Sequence, residues 1–411
     1  MLQSEMFQLF PKCEQLQIAM FFITIQGNFP SILKNKPNLK TIYQAYSYFL
    51  LIYFIIFNIT VYIKFVLLLN EAPIDFTELF LNLTMNFYFT VTIWKTLIFK
   101  RSVFQQMIDD IILWEKTILA SNDHTLKGIY NYYVRQTKIG SRIYILFVIV
   151  GGMLFNFHPL GFESIIINNN NSTSLKRPLP LSSWFPWDEQ KYYSLSYTFH
   201  ILDVTMASLF MASTETLSYA ITIYLLGQIV IFNSILSNFQ LYCWKIQDQL
   251  KVDYENAIFL TLRECVKKHN EIIKQIKIFN REMKNAILYD FLQSSMGLAA
   301  GVLNLIYFDV TPFKLMFFGT FICGAFVRIL VSYWYANEII VQSSNMLTSL
   351  WNSTWYDEPE KTKKIKYLMM LVCSRPLYID IGPFTNMSLQ TLIRIVKATY
   401  SYMTLIYKSK N

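Results

Sequence analysis

The 38 residues of Leu195–Phe232 read LSYTFHILDVTMASLFMASTETLSYAITIYLLGQIVIF, an apolar run crossed by two charges, Asp203 and Glu215, and by no proline. Gly227 is its only breaker, so one long helix is expected in preference to two short spans. At ~1.5 Å per residue that helix is roughly 57 Å long, well beyond a hydrocarbon core of ~30 Å. One end must therefore project from the bilayer.

The flanking sequence supplies the rest of a membrane bundle. Runs long enough to cross lie at Ala45–Leu69, Phe76–Phe99, Ile139–Gly161, Ile287–Asp309 and Phe313–Ile340, each near the ~20 mainly apolar residues a spanning helix needs. A last candidate, Asn386–Tyr407, follows the Gly382-Pro383 break and contains Arg394 and Lys397. Lipid rejects such charges, so this helix should face protein or water. Apolar residues make up 54% of the chain and charged ones 15%, against roughly a quarter charged in soluble domains. The whole chain, 1–411, reads as one all-α membrane domain with seven transmembrane helices.

Lysine and arginine orient it. Twenty-five of them fall in the N-terminal segment and in the connections after spans two, four and six, while only Lys176, Arg177, Lys191, Lys314, Lys408 and Lys410 fall on the other side. That bias predicts a cytosolic N-terminus and an extracellular C-terminus. The formal charge of +9 then reflects orientation and implies no nucleic-acid partner. Asn170 and Asn171 head overlapping glycosylation sequons in the Asn- and Pro-rich Phe162–Gln190 loop, which this topology places outside.

Between spans four and five, Gln240–Lys284 carries Ile258, Leu262, Val266, Ile272 and Ile276 at helical spacing, so the long fourth and fifth helices should continue into a cytosolic anchor at 235–285 and 345–380. There Lys363–Cys373 reads as an amphipathic helix, lying on the membrane or contacting another subunit. Gly297 and Gly301 have the spacing that lets helices approach closely, most simply within one subunit. The run Ile18–Ile25 is too short, and has acidic residues before it, to read as a signal peptide. The cysteines Cys13, Cys243, Cys265, Cys323 and Cys373 are scattered and odd in number, which suggests neither a disulfide framework nor a metal site. No hydrolase, kinase or nucleotide-binding motif is visible, so neither an enzyme nor a cofactor is expected.

The C-terminal third reads Trp351-Asn352-Ser353-Thr354-Trp355-Tyr356-Asp357, then a basic amphipathic helix, Arg375-Pro376, Gly382-Pro383-Phe384, Ser388-Leu389 and Ile395-Val396-Lys397-Ala398-Thr399-Tyr400-Ser401-Tyr402-Met403-Thr404-Leu405. This resembles the insect odorant receptors, odorant-gated cation channels of inverted seven-helix topology. The resemblance is specific over the last hundred or so residues. It implies a tuning receptor, since the insertion that the shared co-receptor carries before its fifth span is missing. It also implies a hetero-tetramer with that co-receptor, cations as permeant ions, no required G protein, and a place in the plasma membrane of olfactory neuron dendrites. The Asn-, Ile- and Lys-rich usage would suit an AT-rich insect genome, an aphid's for example.

Rival classes fare less well. In gustatory receptors of the same fold, Thr-Tyr is followed after five residues by Gln-Phe, where this chain has Ile406-Tyr407. A G-protein-coupled receptor needs the opposite orientation, and no Asp-Arg-Tyr or Asn-Pro-x-x-Tyr motif is present. A secondary transporter would show internal repeats, and none is seen.

On the last helix Arg394, Ala398, Ser401 and Leu405 share one face by their spacing. The resemblance makes that helix the pore lining, with Leu405 at the hydrophobic gate and Lys408 near the outer mouth. By resemblance, too, the odorant site lies in the outer half of the bundle: Met85, Tyr88 and Phe89 on span two; Phe147, Gly151, Leu154 and Phe155 on span three; His200, Ile201, Val204 and Ser208 on span four; Phe317, Thr320 and Phe321 on span six. Gly151 leaves room, and Tyr88, Ser208, Thr320 or His200 can donate a hydrogen bond to an ester or terpenoid oxygen. Asp203 and Glu215, as intramembrane acids, are functional candidates, although Glu215 would also suit the point where its helix meets cytosolic water.

Overall fold

The computed structural model describes residues 13–28, 37–71, 76–157, 159, 165–169, 172–307, 312–353 and 355–410. In chain order the described elements are α1 (Gln17–Ile25), α2 (Pro37–Leu69), α3 (Phe76–Phe99), α4 (Ser102–Ala120), α5 (His124–Phe157), β1 (Ile165–Asn169), β2 (Ser172–Lys176), α6 (Tyr193–Ser237), α7 (Phe239–Leu250), α8 (Tyr254–Tyr307), α9 (Pro312–Trp351), α10 (Glu360–Cys373), β3 (Asp380–Ile381), β4 (Thr385–Asn386) and α11 (Leu389–Lys410).

The Leu195–Phe232 run is a single helix, extended to 45 residues. It is apolar or small on every side, so it can be buried all round. Accordingly it forms the axis of the fold, with α5, α9, α1, α8 and α3 packed around it. Ala212–Leu217 is buried without interruption. The short Ile18–Ile25 run becomes α1, whose Ala19, Met20 and Ile23 are buried with the α6 core.

The predicted spans fall on α2, α3, α5, α6, α8, α9 and α11, except that Asn386 lies in β4 ahead of α11, and that 158, 160–161 and 308–309 lie outside the described residues. By length and composition alone, four helices among the described residues are apolar enough to cross a membrane: 38–69, 124–157, 193–237 and 315–351. Helix α3 falls short because Asn82, Thr84, Asn86, Thr92, Lys95 and Thr96 sit on it, and all are buried in protein.

At one end of the bundle, here the stem, α4, α7 and α10 gather with the extended ends of α5, α6, α8 and α9. The helix expected over Gln240–Lys284 is broken. It stops at Leu250, where Lys251 takes a left-handed φ of 52°, and α8 turns back to pack along α7. Lys366 is fully buried on α10. Its Nζ donates to Glu358 Oε1 at 2.6 Å and Ser353 Oγ at 3.1 Å and stands 3.8 Å from the Phe239 ring centroid. Burial lowers its pKa, with Glu358 opposing that shift. The surface reading of this helix thus holds for its other face, which exposes Lys364, Tyr367, Leu368, Leu371 and Val372.

Glycines admit close approaches within the chain. A Cβ on Gly301 would lie 2.7 Å from Ile322 of α9, and one on Gly297 3.1 Å from Thr84 of α3. Near the start of α11, Gly382 at φ +55° forms the β3–β4 turn; its N–H donates to Lys284 O at 2.8 Å, and a Cβ there would meet Leu288 at 2.8 Å. At the opposite end, here the loop end, Ile165–Asn169 pairs antiparallel with Ser172–Lys176. The sequence reading missed this hairpin, although a β-branched run before Asn-Asn is a strand-and-turn signal. Asn170 and Asn171 lie outside the described residues.

Asp123 ties two stem elements together. Its Oδ1 accepts the Thr125 and Leu126 N–H groups at 3.0 and 3.2 Å, capping α5, and its Oδ2 accepts Tyr242 Oη and Lys245 Nζ of α7, both at 2.8 Å. Burial alone would raise its pKa, but the Lys245 and Tyr242 hydrogen bonds outweigh that and hold the carboxyl at about 2. Asp123→Ala should therefore lower stability by about 1 kcal/mol through the lost cap. A depressed carboxyl stabilises the fold above its unfolded pKa of ~3.9 and loses that effect as pH falls toward the folded value. Melting curves of purified protein should show this acid loss, and Asp123→Asn should reduce it.

Candidate functional site

Midway along the bundle four helices each contribute one ionisable side chain. Lys95 of α3, 3% exposed, bonds Glu215 Oε1 of α6 at 2.8 Å and is also paired with Asp290 of α8. From α9, Arg328 Nη1 lies 3.5 Å from Glu215 Oε1 and 3.4 Å from Asp290 Oδ1, while Nη2 donates to Gln293 Oε1 at 3.0 Å and Ser294 Oγ at 2.8 Å. The guanidinium also stands 5.1 Å from the Tyr88 ring centroid, and Tyr88 Oη lies 3.2 Å from Tyr144 Oη. Removing a lone charge from water costs several kcal/mol, so only a balanced set of this kind persists in such a place. Glu215 is thus a buried, paired group rather than a marker of the water boundary. Asp203, nearer the loop end, accepts a hydrogen bond from Tyr53 at 2.7 Å.

A cavity of about 140 Å³ opens directly on the loop-end side of these charges. Its walls follow helical periodicity: Met85, Tyr88 and Phe89 on α3; Tyr144, Phe147, Val148, Gly151, Gly152 and Phe155 on α5; Val204, Ala207, Ser208 and Met211 on α6; Thr320, Phe321, Gly324, Ala325 and Arg328 on α9, with Gln293 from α8. Nothing lies within 4 Å of where a Gly151 Cβ would stand. Through Met85, Phe89, Phe155, Leu181 and Phe321 the cavity adjoins a larger vestibule of about 270 Å³ beneath 177–183. That segment is held to α3 by Asn82 Nδ2 donating to Ser182 O at 2.7 Å and Ser182 Oγ donating to Glu78 at 2.6 Å.

The cavity gathers ten of the residues named from sequence: Met85, Tyr88, Phe89, Phe147, Gly151, Phe155, Val204, Ser208, Thr320 and Phe321. Phe317 lines the vestibule and packs edge-on against Phe155 at 4.9 Å. Leu154, His200 and Ile201 stand off the wall. Leu154 falls outside the α5 stripe, Ile201 is 36% exposed, and His200 is sealed beside Phe185 at 5.0 Å, with neither ring nitrogen bonded among the described residues. Sequence reasoning did not bring in Tyr144, Gln293 or Arg328. An arginine inside the Phe313–Ile340 run was the available signal.

Helix α11 leaves a polar face open. Leu392 and Ile395 are buried, whereas Arg394, Lys397 and Ser401 are exposed and Ala398 is half-buried. The side chains of Leu405 and Lys408 are outside those described. Between the charge cluster and the β3–β4 hairpin that precedes α11 lies a second cavity of about 60 Å³, bounded by Lys95, Asp290 and Arg328 on one side and Ile379 and Met387 on the other.

A sequence profile described as 7tm Odorant receptor matches residues 75–400. The chain belongs to the odorant receptor family. Odorant receptor Or2 of Anopheles gambiae is 29% identical over 155 residues, covering 38% of this chain and 41% of that protein. Odorant receptor 33b of Drosophila melanogaster is 20% identical over 54% of this chain and 58% of that protein, so these two matches span less than two thirds of either relative. Odorant receptor 30a of Drosophila melanogaster is 22% identical over 86% of this chain and 88% of that protein. The solved insect olfactory receptor OR5 from Machilis hrabei, in complex with eugenol, shares the fold with a TM-score of 0.77 at 14% identity, over 96% of this chain and 97% of that one. This odorant receptor chain is therefore a membrane protein of the seven-helix fold, with receptors rather than enzymes as relatives.

The charge balance makes a sharp prediction for this family member. Asp290→Asn leaves cation in excess and should destabilise the protein by about 3–5 kcal/mol, whereas Lys95→Met combined with Asp290→Leu removes one charge of each sign and should be close to neutral. Thermal unfolding of the detergent-solubilised receptor compares the two. Equal losses would mean that charge balance is not what holds these helices.

Proposed function

We propose that this chain is an odorant-binding subunit of a ligand-gated, non-selective cation channel, assembled with the family's co-receptor in the plasma membrane of olfactory neuron dendrites. The observation that carries the reading is an apolar cavity whose floor residue Arg328 also bounds a smaller cavity against the hairpin leading into α11. In this reading a small volatile occupies the 140 Å³ cavity, comparable with the ~150 Å³ space that accepts benzene in an engineered core. Its better fit to one arrangement of the floor shifts the closed-to-open population.

The open polar face of α11, with Arg394, Ala398 and Ser401, lines the ion path between subunits. Leu405 closes it, because a narrow apolar ring dewets and blocks ions, and Lys408 stands toward the outer mouth. The stem lies in the cytosol and the C-terminal tail outside, as the basic-residue bias requires, which leaves Asn170 and Asn171 on the glycosylated side. An ester or an oxygenated terpenoid suits the few hydroxyls of the wall.

Co-expression with the co-receptor should give inward cation current when volatiles are applied, and the chain alone should give little. Tastant currents without a co-receptor would favour a gustatory-type channel, and uptake coupled to an ion gradient would favour a transporter. An epitope after Asn411 should bind antibody on intact cells; a tail reachable only after permeabilisation would overturn the topology. Filling the Gly151 space with Gly151→Leu should leave the protein folded and raise the concentration needed of larger volatiles more than that of smaller ones, as read from dose–response curves.

A further inference from the structure

The cavity floor has spare hydrogen-bonding capacity of one kind. Arginine has only donors. Arg328 uses Nη1 on Asp290 and Nη2 on Gln293 and Ser294, and its Nε–H makes no hydrogen bond among the described residues. Because Arg328 requires an oxygen from Gln293, the amide of that residue is oriented with its NH₂ turned elsewhere, and this group too has no acceptor among the described residues. Tyr88 and Tyr144 share one hydrogen bond between their hydroxyls, so one O–H of the pair is free to donate.

The hydroxyls on the wall behave in the same way. On α6, Thr205, Thr214, Thr216, Ser218 and Thr222 all donate back to carbonyls of their own helix. Among the described residues Ser208, which lines the cavity, makes no such bond, and neither does Thr320 on α9. The cluster beneath is already neutral, with Lys95 and Arg328 matched by Glu215 and Asp290.

We infer that Arg328, with Gln293 and the Tyr88–Tyr144 pair, forms a donor subsite that selects uncharged ligands bearing a hydrogen-bond acceptor at one end, such as ketones, aldehydes or esters. This rests on the cavity being the volatile site. A hydrocarbon of the same shape leaves the donors dehydrated and unpaired. A carboxylate adds a fifth charge to a balanced set and must shed its own hydration, for which the neutral cluster offers no net compensation. Arg328 therefore acts as a specificity residue while its charge stays committed to the two acids.

The test uses the full chain with its co-receptor and matched ligand sets in which C=O is replaced by C=CH₂ or by a carboxylate: heptan-2-one, 2-methylhept-1-ene and hexanoate, with the same replacements across C6–C10 ketones and methyl esters. Carbonyl members should act at concentrations about 10- to 100-fold lower than their alkene twins, the range of one hydrogen bond to a charged donor, and carboxylates should be the weakest. Arg328→Lys keeps the charge balance but removes Nε–H and the planar fork, and Tyr88→Phe combined with Tyr144→Phe removes both hydroxyls of the pair without touching any charge. Both should bring the carbonyl-to-alkene ratio toward 1 while the alkene response persists. Equal potency of the twins in the unaltered receptor, or a loss in both variants that is the same for both twins, would overturn the donor subsite and leave volatile gating standing. Silence toward every volatile, with the receptor at the cell surface, would overturn the gating reading and the subsite with it.

Discussion

Lys95 held between Glu215 and Asp290, with Arg328 closing the set, is the constraint around which the bundle is arranged. Each group sits on a different helix, and none can be left alone at that depth without a penalty of several kcal/mol. The register of α3, α6, α8 and α9 is therefore specified together. Sliding α3 by one turn would move Lys95 ~5.4 Å along the axis, enough to break both of its ion pairs. Apolar packing between membrane helices is much less selective about register, because lipid tails solvate a leucine about as well as another helix does.

The same charges divide the interior into two unlike parts. On the loop-end side the walls are aromatic and aliphatic, with Phe89, Phe155 and Phe321 shared between cavity and vestibule. On the stem side the 60 Å³ space separates the charges from Ile379 and Met387, next to the hairpin that is bonded to α8 through Gly382 and Lys284. Asn280 adds to this clamp by donating to Tyr378 O at 2.9 Å and accepting from Asp380 N at 3.2 Å. Packed groups thus run without a break from the cavity floor to the base of α11.

The stem is built by different physics from the cavity. Its core joins α4, α7, α10 and the ends of α6, α8 and α9, and it holds a fully buried lysine that donates to Glu358 and Ser353. Glu115 plays a similar part near α1, accepting the Glu14 and Gln15 N–H groups at 2.8 and 3.2 Å. These polar anchors leave α10 with apolar residues on its outward face, Leu368 and Leu371 among them.

The amino-acid order by itself located the apolar runs and the single fourth helix, because helix-length apolar runs are local properties, and half of the cavity wall was named through the family resemblance. It placed Glu215 and Asp203 as acids at membrane depth, and Arg394 and Lys397 on a helix that needs a wet side. It did not reveal that Lys95, Glu215, Asp290 and Arg328 belong together, since residues 95, 215, 290 and 328 lie far apart along the chain and ion pairing depends on distance in space. The break at Lys251, the burial of Lys366 and the exclusion of His200 from the cavity were likewise decided by tertiary packing. Whether a polar side chain ends in water, against a partner or in a sealed pocket depends on which helices surround it.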